Sequence, residues 1–228
     1  MVKRIKLPTP THIYRKDDTA SWLKNRAEDV TASNLASLFG HGYNSCNAYK
    51  KSFGEEYKEL TGPDIMRGKI LEPACLMAAE MFIGLKQVPM THGETWYYRH
   101  PDIRIGATPD FFALHDDELI LIECKAPKAR SFERWLEKAP LYYVIQMQAQ
   151  MMCTGLTKGI LVALTIENDH AKFCSYLVSL NEEFCAMVET EVEKFWREID
   201  TPSRTSSELK ARVEEVLSKS ITPFVLNS

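Results

Sequence analysis

Two carboxylates and an ammonium fall within one short stretch of this chain, GATPDFFALHDDELILIECK, residues 106–125. Leu119 to Lys125 is a β-rich run that ends abruptly in charge. Alternation at period two puts Glu123 and Lys125 on one face, and Ile120, Ile122 and Cys124 on the other. With Asp116 and Asp117 as a two-residue turn, His115 pairs with Glu118, and counting back sets Asp110 opposite Glu123. The strands are otherwise apolar on both faces, and charge buried there requires a partner or a metal. Convergent carboxylates suit a hard divalent cation, Mg²⁺ above all, which keeps several waters for chemistry. A lysine beside them can orient the attacking water or stabilise charge on a phosphate. The competing arrangement is an ordinary hairpin with a solvated charged face.

Other elements must bring partners to this hairpin. Residues 144–152 read as a helix in which Gln146 and Gln150 share a face, and amides on an apolar helix need acceptors such as nearby carboxylates. Asp64 to Phe82 is a longer helical pattern with Leu71, Cys75, Ala78 and Phe82 on its stripe and Met81 widening it. Glu72 lies beside that stripe, just before Pro73, which is expected to kink or restart the helix. Thr31 or Ser33 is placed to cap a helix carrying Leu35, Leu38 and Phe39 and stopped by Gly40; with Arg26 before it, that N-terminus would receive a phosphate. An ordinary capped helix explains the same residues. Lys128, Arg130, Arg134 and Lys138 interleave with Phe132 and Trp135, which suits a nucleic-acid backbone and an amphipathic surface helix equally.

The remaining segments complete the frame. Residues 1–18 read as an extended lead-in, 44–62 as a surface helix and loop, and 85–105 as one or two strands. Residues 159–166 and 173–180 form a strand pair, Asn181 caps a long helix to Ile199, and 201–228 is a linker with a short helix. This order suits one α/β domain spanning residues 1–228, with a central mixed sheet flanked by helices.

Composition is consistent with that reading. The 228 residues are 45% hydrophobic and 26% charged, enough for one sizeable core. A net charge of −3 excludes global basicity as a route to nucleic acid, although a local basic patch would still serve. Six cysteines without a C-x-x-C read as reduced core thiols rather than a disulfide framework or zinc site. No apolar run approaches membrane-spanning length, so the chain reads as cytoplasmic.

Asp110 with Glu123-Cys124-Lys125 resembles the core of the PD-(D/E)XK nucleases. Together with Arg26 and Thr31-Ala32-Ser33, with Gly68-Lys69-Ile70-Leu71-Glu72, and with Thr108-Pro109-Asp110, it resembles the branch that holds the lambda Red-type exonucleases and YqaJ-type viral recombinases. The likeness runs from about Trp22 to about Thr154. It implies a restriction-endonuclease-like fold and a 5′-to-3′ duplex exonuclease that leaves 3′ overhangs for recombination in a bacterial host cell. It implies two Mg²⁺ ions per site, with Mn²⁺ as the alternative. Asp110, Glu123 and the Cys124 carbonyl would be metal ligands, Glu72 would approach the second metal, Lys125 would activate or position water, and Gln146 would support the site. Arg26, Ser33 and Thr108 would hold the 5′-phosphate, with Arg130 one position early for a direct match. Gln150 stands where related nucleases carry tyrosine. A ring-shaped homotrimer and a single-strand-annealing partner are also implied. A structure- or site-specific endonuclease and a non-catalytic binding member remain the rival readings.

Overall fold

A computed structural model describes residues 6–15, 17–53, 62–88, 94–202 and 204–227. In chain order, β1 (His12–Arg15), α1 (Thr19–Arg26), β2 (Val30–Thr31), α2 (Ala32–Leu35), α3 (Cys46–Ser52) and α4 (Pro63–Ile83) precede the strands β3 (Lys86–Val88), β4 (Glu94–Arg99), β5 (Ile105–Ala107), β6 (Phe111–His115) and β7 (Glu118–Lys125). Then come α5 (Ala129–Glu137), α6 (Leu141–Thr154), β8 (Lys158–Glu167), β9 (His170–Ser179), α7 (Glu182–Arg197), α8 (Ser207–Ser218) and β10 (Ile221–Asn227).

Asp116 and Asp117 both take left-handed backbone, with φ of 49° and 61°, as a two-residue turn between twisted strands requires. The register follows: His115 faces Glu118 and Phe111 faces Ile122, so Asp110 lies one step further on, opposite Glu123. β7 also pairs in parallel with β8, inside a mixed six-stranded sheet ordered β10-β9-β8-β7-β6-β3. Ile120, Ile122 and Cys124 pack with Cys75 and Ala79 of α4 on one face, while Leu121 packs with Val144, Ile145 and Met147 of α6 on the other. The strand thus presents Glu123 and Lys125 toward α6.

Several segments differ from their sequence reading. The lead-in contains β1, which pairs with β4 in a second sheet ordered β1-β4-β5-β2; residues 1–5 lie outside the described part. The helix expected from Thr31 to Gly40 is only four residues long, and Val30–Thr31 instead pairs in parallel with β5. α4 continues through Pro73, and it buries Cys75, Leu76 and Ala79 while Met81 and Phe82 lie largely exposed. Lys50, read as a surface lysine, is buried: its ammonium donates to the carbonyls of Glu198 (2.6 Å) and Thr201 (3.0 Å) just past α7. Residues 54–61 of that same stretch lie outside the described part. The tail is more than a linker with a short helix, because β10 extends the main sheet beside β9. Pro223 is tolerated there because β10 is an edge strand with a register shift at that point. All six cysteines are free thiols. Among the described residues no helix is long and apolar enough to cross a membrane.

Candidate active site

Glu123 is 1% exposed at the end of the central strand, so its carboxylate must find donors inside the protein. Three side chains supply them. Gln146 Nε2 donates to Oε1 at 2.6 Å, Gln150 Nε2 donates to Oε2 at 2.6 Å, and Lys125 Nζ pairs with Oε1. One helical turn separates the two glutamines, so a single face of α6 fixes the carboxylate from both sides. Gln150 therefore contacts Glu123 directly. Across the hairpin, Asp110 Oδ2 accepts the Cys124 backbone N–H at 2.8 Å.

These groups perturb one another strongly. Burial, then the facing Glu123 charge, push the Asp110 carboxyl well above the usual carboxylate range; Lys125 opposes that shift and Glu72 adds to it. Burial disfavours the Lys125 ammonium, but Glu123 and Asp110 outweigh it, so Lys125 is held charged more firmly than a free lysine. A carboxyl held against ionising by burial and a facing carboxylate, as Asp110 is, would be relieved by a cation. Hard oxygen donors match Mg²⁺, and Asp110, Glu123 and the Cys124 carbonyl are the groups that would hold such an ion. Among the described residues no three His, Cys, Asp or Glu side chains converge to hold an ion unaided. Such an ion would complete its shell with water and substrate, as Mg²⁺ commonly does.

Two cavities open on this group, and both reach Asp110 and Lys125. The smaller, about 220 Å³, is lined by Trp22, Arg26, Ser33, Thr108, Glu123 and both glutamines, among others. Arg26 lies 4.3 Å over the Trp22 ring and donates from Nη2 to Ser33 Oγ at 3.3 Å, while Trp22 Nε1 donates to Thr108 Oγ1 at 3.2 Å. The parallel β2–β5 pairing accounts for this convergence, since β2 leads into Ser33 and β5 leads into Thr108. A helix N-terminus does not: α2 is a single turn, and the Thr31 hydroxyl accepts from Asn34 Nδ2 instead of capping. The positive charge in this pocket therefore comes from Arg26 and Lys125 rather than from a helix dipole. Behind it, Gly106 has no room for a side chain, because a Cβ would overlap the Tyr97 hydroxyl. That hydroxyl donates to the buried Asp29 at 2.7 Å, which also accepts from Arg99 Nε at 2.7 Å.

The larger cavity, about 990 Å³, carries six cations, Arg67, Lys69, Lys125, Lys128, Arg134 and Lys138, against Asp64, Glu72 and Asp110. The chain's net charge of −3 conceals this local excess. Glu72 lines this cavity on α4 and acts electrostatically on Asp110. Arg130 is exposed on α5 and lines neither cavity. Arg67 escaped the sequence reading. Its guanidinium donates to the Ala126 carbonyl at 2.8 Å, and its neighbour Asp64 pairs with Lys128 at 2.7 Å, so the cavity's two walls are tied together. Its position beside the Gly68-Lys69 motif was the available signal.

Residues 21–157 match the model of a YqaJ-like viral recombinase domain. Among solved structures, an alkaline exonuclease (LHK-Exo) from Laribacter hongkongensis is similar, with 23% identity, a TM-score of 0.64 and coverage of 87% of this chain and 96% of that one. A phage-related exonuclease from Haemophilus somnus 129PT is 14% identical with a TM-score of 0.54, covering 84% of this chain and 96% of that one. At these identities the likeness establishes the fold. Comparison with curated proteins finds no significant relative.

Proposed function

Because the chain belongs to the YqaJ-like viral recombinase family, we propose that it is a Mg²⁺-dependent exonuclease that degrades the 5′ strand of a DNA duplex, releasing 5′-mononucleotides and leaving 3′ overhangs for strand annealing. The observation that carries this reading is the juxtaposition of Asp110 and Glu123, facing each other beside Lys125, where Asp110 and Lys125 line both a small polar pocket and a large basic cleft and Glu123 lines the small pocket. The solved structures of similar fold include exonucleases, which supports the same reaction class.

Asp110, Glu123 and the Cys124 carbonyl would hold the first ion, with Glu72 approaching a second. A bound divalent cation would polarise the scissile phosphate and lower the pKa of the attacking water. Gln146 and Gln150 keep the Glu123 carboxylate in one orientation. Lys125 offers a fixed positive charge to the water and the phosphate. The basic cleft would take the duplex through its phosphates, and the small pocket would take the 5′ end. A terminal phosphate carries more charge than an internal diester, so Arg26, Ser33 and Thr108 would favour it.

End-labelled linear duplex incubated with Mg²⁺ tests the reading. Wild type is expected to release mononucleotides from the 5′ end and to prefer a 5′-phosphate over a 5′-hydroxyl by about tenfold or more, the scale of one charge-assisted hydrogen bond. Arg26→Ala should erase most of that preference while the rate on 5′-hydroxyl ends changes little. Cleavage of a covalently closed circle would instead identify an endonuclease, and equal wild-type rates on both ends would remove Arg26 as a phosphate reader.

Assembly belongs to the same proposal. A homotrimeric ring would turn the basic cleft of each subunit toward a shared channel, and a single-strand-annealing protein would receive the 3′ strand. Sedimentation at micromolar concentration is expected to show a trimer; a monomer would sink the ring and leave the chemistry standing.

A further inference from the structure

Tyr43 lines the large cavity with 80% of its surface exposed, yet it is held against the first turn of α6. Its hydroxyl donates to the Tyr142 hydroxyl at 2.7 Å and lies 3.1 Å from that of Tyr143. Its ring meets the Tyr142 ring edge-on, with centroids 4.8 Å apart. The loop that carries it is fixed as well. Gly40 adopts a φ of 72°, and the His41 N–H donates to the Ala36 carbonyl at 2.9 Å. Gly42 packs so closely on Ser37 that a Cβ would overlap the serine hydroxyl.

An aromatic ring this exposed gains little from burial, while holding it in one place costs side-chain entropy. Its fixed position therefore points to something outside the chain. The rings also lead to the reaction centre. Tyr142 and Tyr143 have centroids 4.0 Å apart, and the Lys125 ammonium lies 4.8 Å from the centre of the Tyr143 ring. Tyr43 is thus the outer end of an aromatic series that begins at the catalytic floor.

The shapes of the two cavities say what that ring would meet. The small pocket, about 220 Å³, is large enough for one strand end and too small for a duplex; the large one is about 990 Å³. A strand running from one to the other across Asp110 and Lys125 must leave its complementary strand at the floor. The base on the cleft side then loses its pairing and its stack. Cations on the cleft walls suit phosphates, whereas a neutral aromatic face suits a base of any sequence.

We propose that Tyr43, braced by Tyr142 and Tyr143, stacks on the unpaired nucleobase immediately 3′ of the scissile phosphodiester. This rests on the nuclease reading above, and it names a subsite for that same reaction. It is tested by binding alone, so catalysis and base recognition are read separately.

The probe is a 5′-phosphorylated duplex with three unpaired 5′ nucleotides and a dye at the far end, titrated in EDTA and followed by anisotropy. A second probe is abasic at the second nucleotide. For wild type the missing base should weaken binding about tenfold, as base–aromatic stacking is sequence-tolerant and of that size. Tyr43→Ala should lose about tenfold on the intact probe and nothing further on the abasic one. Tyr43→Phe keeps the ring and should stay within about twofold of wild type. Thermal unfolding of the Tyr43→Ala variant should match wild type, given the exposure of the ring. An unchanged affinity for Tyr43→Ala would overturn the proposal. So would equal abasic penalties in wild type and variant, or Tyr43→Phe binding as weakly as Tyr43→Ala. If the binding pattern holds but added Mg²⁺ produces no cleavage, the base subsite stands and the nuclease reading fails. A protein that binds neither probe overturns both.

Discussion

Asp110→Asn should lower the single-turnover cleavage rate at saturating Mg²⁺ by at least about 10³-fold, since it removes an ion ligand where charge develops on the phosphate. The substitution is close to isosteric, and an amide oxygen can still accept the Cys124 N–H that Asp110 Oδ2 now receives at 2.8 Å, so the hairpin end has no reason to move. Burial and the facing Glu123 charge both disfavour an ionised Asp110, and asparagine relieves both. The variant should therefore fold at least as stably as wild type and bind duplex ends no more weakly. Thermal unfolding with and without Mg²⁺ separates ligand loss from misfolding. A ligand that binds only the folded state raises the melting temperature, so Mg²⁺ should stabilise wild type and leave Asp110→Asn unmoved. Wild-type cleavage in the variant, or an equal Mg²⁺-induced shift in both proteins, would show that Asp110 holds no ion.

The geometry at the hairpin was legible because its determinants are local. A two-residue Asp116-Asp117 turn and period-two alternation suffice to bring Asp110 opposite Glu123 and to put Lys125 on the same face. Gln146 and Gln150 were legible for a similar reason, as amides four residues apart on an apolar helix demand an acceptor. The small pocket proposed for the 5′-phosphate was harder. Val30–Thr31 is a two-residue strand whose partner, Ile105–Gly106, lies some 75 residues along the chain, and hydroxyls beside a short strand look like a helix cap in sequence. β10 was missed because Pro223 demotes a strand reading, and only its edge position and register shift make the proline acceptable. On α4 the apolar residues occur on more than one side, so their spacing did not reveal that Met81 faces out while Ala79 faces the sheet. Net charge neither revealed nor excluded the basic cleft, since acidic residues elsewhere mask the cations gathered around it, as a local patch allows.

Lys125→Ala should slow cleavage by ~10²-fold or more, the scale of losing a positioned catalytic charge. Which role is lost follows from the electrostatics. A lysine serving as general base must be neutral at the working pH, which burial alone would encourage. Here Glu123 and Asp110 overturn that tendency and hold the ammonium firmly charged. Deprotonation would also strip Glu123 of its cation, leaving a 1%-exposed carboxylate with only two amide donors. On that basis we propose that Lys125 acts as an electrostatic and orienting group rather than as a proton acceptor. The rate loss in Lys125→Ala should then be a constant factor from about pH 7 to about pH 9, because the missing charge is present in wild type across that whole range. A general base held so far above its ordinary pKa would instead gain activity steeply with pH, and the gap between wild type and variant would widen. Single-turnover rates at saturating Mg²⁺ distinguish the two, provided Mg²⁺ affinity is measured in the same variant. Lys125→Ala also removes the counter-charge between Asp110 and Glu123, which raises their mutual repulsion and should tighten rather than weaken their hold on an ion. A variant with lower Mg²⁺ affinity, or a rate gap that grows with pH, would reassign Lys125 from charge stabilisation to ion assembly or to base catalysis.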